Sequence, residues 1–220
     1  MTTMDENAIS QTALHEQSQS ALALADSLAG RIVGEAAPIQ FRLAQSDSDR
    51  QAVYRLRYQV VIEHGWAQPE DLPDGLERDA FDERAIHIAG WDGDVLAATS
   101  RLVLPDSQSP LPTEQAFNIK VEPQGRVADM GRQIVDRDYS NVRHLVFAAL
   151  LAKTWLEMRQ RGFTLVCGDF SPAVTRLYRM VGFDVKQIGP SRKFWGEKRF
   201  PILVDVAGSV PILLKRWGNQ

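Results

Sequence analysis

The late part of the chain contains the sequence GFTLVCGDFSPAVTRLYRMVGF at residues 162–183. The apolar run at 163–167 is typical of a short buried strand. Ser171-Pro172 predicts the start of a helix, because Ser accepts hydrogen bonds from free backbone N–H groups and Pro suits the first helical turn. Gly182 predicts the end of that helix, and residues 183–188 form the next β-rich run. A strand, a helix and a second strand are therefore expected in succession.

The elements on either side extend this order. Apolar spacing predicts a long helix before the quoted segment, and Asp92-Gly93 predicts a tight turn between two β-rich runs. The acidic segment 68–82, with two prolines and a glycine, is predicted to be a loop without regular secondary structure. The predicted strands are 39–43, 86–91, 95–104, 126–135, 163–167, 183–188 and 201–206, and the predicted helices run from Ser46 to Val60 (closed by Gly65), from 141 to 160 and from 171 to 182. This order predicts an α/β fold, with a mixed, mostly antiparallel sheet flanked by helices.

The N-terminal part differs from the rest in composition. Residues 1–38 are rich in Ser, Gln, Ala and Thr, and only the spacing of their leucines suggests a helix. We expect a flexible or weakly helical extension at 1–38 and a single domain at 39–220.

Composition excludes several classes of protein. The chain has 220 residues, of which 44% are hydrophobic and 24% charged, as in a globular domain. A single Cys excludes a disulfide framework and a multi-cysteine metal site, and the four His residues lack the spacing of a metal site. No run approaches the roughly 18 apolar residues of a membrane span. We therefore expect a cytoplasmic protein without a membrane span or a metal.

Charge is distributed unevenly along the chain. Residues 1–138 carry 12 basic and 23 acidic side chains, whereas residues 139–220 carry 13 and 5. A basic lobe attracts phosphates, nucleic acid or an acidic protein, but it is also compatible with a plain solvated surface. Nucleic acid is disfavoured, because no nucleic-acid-binding fold accompanies the basic residues.

The segment 171–183 resembles the characteristic helix of the GNAT superfamily of N-acyltransferases, and the predicted order of elements is similar to that fold. The resemblance implies that Tyr178 lies near the thioester sulfur and protonates the leaving thiolate. The alternative is that Tyr178 is a core residue. One feature departs from the superfamily: residues 135–142 contain no glycine and two acids, where acetyltransferases carry a glycine-rich turn that holds coenzyme A.

A narrower resemblance covers residues from Tyr54 to about Val206. The matching features, in chain order, are Leu56-Arg57-Tyr58, Trp66, Glu77-Arg-Asp79-Ala-Phe-Asp82, Ser100-Arg101-Leu102, Phe117 and Asp129-Met-Gly-Arg132. This pattern resembles the acyl-homoserine lactone synthases, the autoinducer synthases of bacterial quorum sensing. Three positions depart from it: Val61 replaces a phenylalanine, Asp129 a longer glutamate and Gly131 a serine. These changes alter the shape and reach of the pocket, so the amine substrate can differ.

The resemblance implies an N-acyltransferase that acylates the amine of S-adenosylmethionine from an acyl thioester and closes a lactone. No permanent cofactor is implied; S-adenosylmethionine and acyl-ACP or acyl-CoA are substrates. Asp79, Asp82 and Asp129 are the expected carboxylates that orient the cationic substrate or relay its proton. Arg57, Arg101 and Arg132 are expected to brace them and to bind a substrate carboxylate. The alternative is a salt-bridge cluster without chemistry.

Further expectations concern pocket walls and partners. Trp66 and Phe117 are expected to line the substrate pockets, although core positions would also suit them. The basic lobe suits docking of an acyl carrier protein and its phosphopantetheine arm. Two other functions stay open: an N-acyl amino acid synthase of the same fold, which makes no lactone, and a non-catalytic module that binds an acyl carrier protein or a nucleotide-like ligand.

Overall fold

The structure, a computed structural model, describes residues 3–217 and gives side-chain environments from residue 19 onward. Helices α1–α6 cover Thr3–Glu35, Asp47–Glu63, Pro112–Phe117, Arg143–Gln160, Pro172–Val181 and Val206–Trp217. Strands β1–β8 cover Gln40–Leu43, Ile86–Asp92, Val95–Val103, Val127–Val135, Leu165–Phe170, Asp184–Gln187, Arg192–Phe194 and Glu197–Asp205. Short 3-10 turns lie at Pro69–Asp71, Ala80–Arg84 and Arg137–Tyr139.

The strands form a mixed, mostly antiparallel sheet in the order β1-β2-β3-β4-β5-β8-β6, with β7 paired to β8. Strands β4 and β5 are parallel, and the other described pairs are antiparallel. Ile88 and Ala89 are neighbours in β2 and pack into separate cores, with helix α4 on one face of the sheet and α2 on the other. The predicted fold class is confirmed.

Local sequence signals explain where several elements begin and end. The Ser46 side chain accepts a hydrogen bond from the N–H of Asp49 at the start of α2. Ser171 does the same for Val174 at the start of α5, and Gly182 ends that helix with a φ of 119°. Gly93 takes a φ of 58° in the turn between β2 and β3, where a side chain would be strained.

Three elements were not predicted: α3, β7 and α6. Helix α6 contains Gly208 and Pro211, which disfavour a helix interior. It forms because Ser209 and Val210 are fully buried in it, and because the Asp205 carboxylate accepts the N–H of Gly208. Tertiary packing therefore outweighs the local preference of this segment.

The N-terminal part also differs from the expectation for 1–38. Helix α1 packs against α4 and α6 rather than extending freely. Leu22, Ala25 and Ala29 are buried in the main core. The Asp26 carboxylate accepts the indole N–H of Trp155 at 2.8 Å. The spacing of small and apolar residues, which looked weak in the sequence, is enough to bury one face of the helix.

Leu22→Ala is expected to lower the free energy of unfolding by about 2–3 kcal/mol, because it removes buried apolar surface between α1 and the rest of the domain. Leu24→Ala is the matched control on the same helix: Leu22 is 7% exposed and Leu24 is 54% exposed. The control should change stability by less than about 0.5 kcal/mol. Urea unfolding measures both, and equal effects would show that α1 does not belong to the cooperative fold.

The centre of the sheet opens beside the parallel pair. Pairing between β4 and β5 ends at Asp129 and Cys167, although both strands continue. A bulge on the other side of β4 shifts its register against β3 between Thr99 and Arg101. At this bulge Arg132 takes a φ of 53°, which directs its side chain away from the regular alternation of the strand. The fold thereby places polar side chains at an opening in the sheet.

No helix among the described residues is both long enough and apolar enough to cross a membrane.

Candidate functional site

A cleft of about 990 Å³ lies at this opening. Its walls come from three segments: residues 77–84, which include the end of the acidic loop; residues 109–116, which include most of α3; and residues 192–195, which comprise β7 and Trp195. Asp129, Gly131 and Arg132 of β4 also line it. The cleft therefore contains predicted site residues from distant parts of the sequence.

A second cleft, of about 890 Å³, lies on the α2 side of the acidic loop. It is lined by Tyr54, His87 and the other side of the loop. Burial lowers the pKa of His87, so its imidazole is neutral near pH 7. We take the first cleft as the candidate site, because it contains Asp129, Arg101 and Arg132 together.

Arg57 lies at the base of the acidic loop. Its Nε donates to Glu77 at 2.5 Å, and its two Nη atoms donate to the two oxygens of Asp82 at 2.7 and 3.0 Å. All three side chains are buried. Burial opposes ionisation of Asp82, but the hydrogen bonds and charge of Arg57 outweigh it and lower the pKa of Asp82 to about 2. The pair is therefore ionised at every pH at which the protein is ordinarily studied.

Two further arginines complete the charged cluster. Arg101 donates to Asp79 at 2.7 Å and to Asp82 at 3.3 Å. Arg132 donates to Glu77 through Nε at 3.1 Å and to Asp79 through Nη2 at 3.2 Å. The cluster thus contains three arginines and three carboxylates, so its formal charges balance. It ties the acidic loop to α2, β3 and β4.

The acidic loop is also ordered by its own backbone. The Asp82 carboxylate accepts the N–H of Asp79 at 2.8 Å, and the Asp79 carboxylate accepts the N–H of Phe81 at 2.9 Å. These reciprocal bonds form a capping box around a single turn. Asp79 is the member of the cluster whose side chain remains about a third exposed, at 34%. It is therefore the cluster carboxylate best placed to meet a ligand.

Asp129 stands apart from the cluster. Its carboxylate accepts the backbone N–H of Thr113 at 2.7 Å and the thiol of Cys167 at 3.4 Å. Among the described residues it forms no ion pair. Burial raises the pKa of Asp129 to about 6, and hydrogen bonding from Thr113 only partly opposes this. A carboxyl group with this pKa can accept a proton near neutral pH.

Cys167 is a partner of Asp129 rather than a nucleophile. The thiol is fully buried in β5. Burial and the neighbouring Asp129 charge raise its pKa well above its usual value. A thiolate is therefore not available at this position.

The structure does not bring Tyr178 to the cleft. Its ring packs in the core against Phe147, Phe170 and Phe183, and its hydroxyl donates to Gln133 at 2.7 Å. Burial raises the pKa of the Tyr178 phenol well above its usual value. Tyr178 does not line the cleft, and protonation of a leaving thiolate by its hydroxyl remains a prediction.

Trp66 and Phe117 are not among the residues that line the cleft. The Trp66 ring stacks on the Arg199 guanidinium, 5.1 Å from the ring centre. Phe117 is buried and contacts the edge of Phe194, whose ring lines the cleft. Phe117 therefore supports the cleft wall through Phe194, and a place for Trp66 in a substrate pocket remains a prediction.

Sequence reasoning missed Glu77 and Trp195 as site residues. Glu77 was visible within the acidic motif, yet its bridging of Arg57 and Arg132 depends on two contacts that are far apart in the sequence. Trp195 lies over Arg132, with the guanidinium 4.7 Å from the ring centre. The Trp195-Gly196 pair was the available signal, because an X-Gly pair between short β-rich runs predicts a tight turn.

Comparison with known proteins places these features in context. The model of the family described as N-acyl amino acid synthase FeeM matches residues 52–199, about two thirds of the chain. That range contains every charged residue of the cluster, together with Asp129.

Three solved structures show similar folds. One is the structure of FeeM, an N-acyl amino acid synthase from uncultured soil microbes, with 17% identity over 80% of this chain and 97% of that one (TM-score 0.63). Another is BjaI, a CoA-dependent acyl-homoserine lactone synthase solved with S-adenosylmethionine and isopentyl-CoA, with 20% identity over 82% and 89% (TM-score 0.61). The third is described as an acetyltransferase of the GNAT family from Desulfovibrio desulfuricans, with 18% identity over 76% of this chain and 99% of that one (TM-score 0.51).

These comparisons confirm the two resemblances seen in the motifs. The fold is that of the GNAT acyltransferases and of the acyl-homoserine lactone synthases. At these identities the solved structures establish the fold, whereas the family match rests on the sequence itself.

Proposed function

The chain belongs to the family of N-acyl amino acid synthases of the FeeM type, and from this premise we propose that it joins an acyl group from a thioester to the α-amine of an amino acid. As a member of this family it is an acyltransferase. The observation that carries the acceptor assignment is Asp129, a buried carboxylate in the cleft that has no cationic partner among the described residues. An incoming α-ammonium group supplies that missing positive charge.

The proposed chemistry requires a neutral amine. Asp129 takes a proton from the ammonium group of the acceptor, and its pKa of about 6 keeps it largely ionised and ready near pH 7. The amine nitrogen then attacks the thioester carbonyl, so that a C–N bond forms and the C–S bond breaks. The leaving thiolate takes the proton that the attacking nitrogen gives up as the amide forms, and Asp129 then releases its own proton to solvent.

The other charged residues hold the reactants. Arg101 and Arg132 line the cleft, where their guanidinium groups can bind the acceptor carboxylate. Asp79 shares the wall and orients the ammonium group. Arg57 and Asp82 are buried behind the wall, so we assign them to positioning the loop rather than to contact with substrate.

A second acceptor, S-adenosylmethionine, is favoured by the motif order. The arginines and acids of the cluster occur in the order found in the acyl-homoserine lactone synthases. Acylation of this acceptor would be followed by lactone closure and loss of methylthioadenosine. The shorter Asp129 and the absence of a bulky ring at Val61 distinguish this chain from that pattern.

The acyl donor is proposed to arrive on an acyl carrier protein. Exposed basic residues on the C-terminal lobe form no ion pairs among the described residues: Arg143, Arg176, Arg179, Lys193 and Lys198. Unpaired basic side chains of this kind attract an acidic carrier and its phosphopantetheine arm. The loop at 135–142 lacks the glycine-rich turn that usually holds coenzyme A, which also favours a carrier-bound donor.

Mass spectrometry of the reaction products tests this proposal. The purified chain is incubated with each proteinogenic amino acid or with S-adenosylmethionine, and with acyl carrier protein and acyl-CoA thioesters. We expect an N-acyl amino acid and free thiol, with carrier thioesters used at lower concentration than CoA thioesters. An acyl lactone with methylthioadenosine would move the assignment to the second acceptor. Ligand-induced thermal stabilisation with no product from any pair would favour a binding module instead.

A further inference from the structure

The turn between β7 and β8 carries an unusual residue for its backbone conformation. Phe194 pairs with Glu197, so Trp195 and Gly196 are the two central residues of the turn. Their φ angles are 51° and 71°. Turns with two positive φ angles prefer Asn-Gly or Gly-Gly, because a bulky side chain is strained in the left-handed region. A tryptophan at this position therefore needs a compensating role.

The Trp195 indole contacts Arg132, whose backbone is also in the left-handed region. The Arg132 guanidinium lies 4.7 Å from the centre of the indole ring. Arg132 itself has a φ of 53° at the bulge of β4. Its Nη2 atom also contacts the carboxylates of Glu77 and Asp79. The guanidinium thus contacts two carboxylates and an aromatic face, a set of partners that suits a planar cation.

The indole restricts the side chain of Arg132, which faces the proposed acceptor site. Arg132 is three residues from Asp129 on β4, and both line the cleft. Its side chain is 15% exposed with the indole in place. Without the indole, solvent reaches the guanidinium and competes for its bonds to Glu77 and Asp79. Asp79 then loses one of its two arginine partners, and the wall of the cleft loosens.

We propose that Trp195 is a positioning residue, whose indole holds Arg132 against Glu77 and Asp79 so that the cleft is preorganised for the acceptor. This inference rests on the proposed acyl transfer. It assigns a role to a residue that contributes no reacting group. The strained turn is retained because preorganisation of the acceptor site depends on the aromatic ring.

The substitution Trp195→Asn separates this role from a merely structural one. Asn is favoured at the first central position of such a turn, so the variant relieves backbone strain while it removes the indole. We expect the Tm to stay the same or rise, the acceptor KM to rise at least tenfold, and the donor KM to change less than twofold. Trp195→Tyr keeps an aromatic face and is expected to restore most of the acceptor affinity. An unchanged acceptor KM in Trp195→Asn would overturn the proposal.

A second readout needs no turnover. The Arg132 Nε–H donates to Glu77 in the native protein. Hydrogen exchange of that N–H, followed by NMR of the full chain, is expected to be at least tenfold faster in Trp195→Asn. Equal exchange rates in the two proteins would contradict the inference. If the native chain acylates no acceptor, the proposed function fails, while this exchange comparison still decides the role of Trp195.

Discussion

Arg57→Ala is expected to lower the free energy of unfolding by about 3–5 kcal/mol, because it leaves two buried carboxylates without their main partner. Glu77 and Asp82 are 2% and 5% exposed, and both bond directly to Arg57. The acidic loop that they anchor forms a wall of the cleft. We therefore expect turnover to fall together with stability.

The matched control is Arg55→Ala, two residues away on the same helix. Arg55 is exposed, and its guanidinium bonds only to Gln51 within the described residues. Urea unfolding should show a change of less than about 0.5 kcal/mol for this variant. Arg57→Lys should give an intermediate loss and provides a folded variant if Arg57→Ala does not fold, since Lys keeps the charge but not the two-pronged contact. Equal effects of Arg57→Ala and Arg55→Ala would refute the importance of the buried cluster.

The destabilisation by Arg57→Ala should depend on pH. In the native chain the pKa of Asp82 is lowered from 3.8 to about 2. The ionised pair therefore contributes fully above about pH 4, and its contribution is lost as the pH falls toward 2. The difference between Arg57→Ala and the native chain should accordingly shrink in that window.

Asp129→Asn is expected to reduce turnover by on the order of 10²–10⁴, since the variant has no group that can take the amine proton at that position. The shape of the side chain and its bond from the Thr113 N–H can be retained. In the native chain the activity should rise with pH along a limb centred near 6, the pKa of Asp129. That limb should be absent from the residual activity of the variant.

The same substitution should stabilise the protein at alkaline pH. Burial raises the pKa of Asp129 from 3.8 to about 6, so the folded state holds a proton that the unfolded chain releases between these values. Stability from this group is full below about pH 4 and is lost as the pH rises through 6. At about 1.4 kcal/mol per pKa unit, Asp129→Asn should gain up to roughly 3 kcal/mol at pH 8.

Asp169→Asn is the control for this stability gain. Asp169 also lines the cleft, but it pairs with Arg199 at 2.7 Å. Removing its charge should cost about 1 kcal/mol or less rather than stabilise the chain. If Asp129→Asn retained normal turnover, Asp129 would be a structural residue, and another group would have to accept the proton.

Much of the fold could be predicted from local signals. Ser46, Gly93 and the Ser171-Pro172 pair act on their immediate backbone, and the elements they bound appear where expected. Helix α6 could not be predicted in this way, since its stability comes from burial of Ser209 and Val210 against distant parts of the chain. Helix propensity is a weak predictor where tertiary packing determines whether a segment forms a helix.

The candidate site shows the same division. The motif order predicted that Arg57, Asp82 and Arg101 would meet, and they do. The sequence could not separate Asp129 from the other carboxylates, because its environment is made by Thr113 and Cys167 on other elements. It also could not show that Tyr178 bonds to Gln133, since that contact depends on how α5 lies against β4.

The docking of α1 on α4 has a consequence for synthesis of the chain. Asp26 leaves the ribosome before its partners Trp155 and Arg159, which are 129 and 133 residues further on. At about 5–20 residues per second, this interval lasts roughly 6–26 s. During it, the face formed by Leu22, Ala25 and Ala29 has no native surface to cover it. A nascent chain stalled before α4 should therefore be a better chaperone substrate than the same chain released after it.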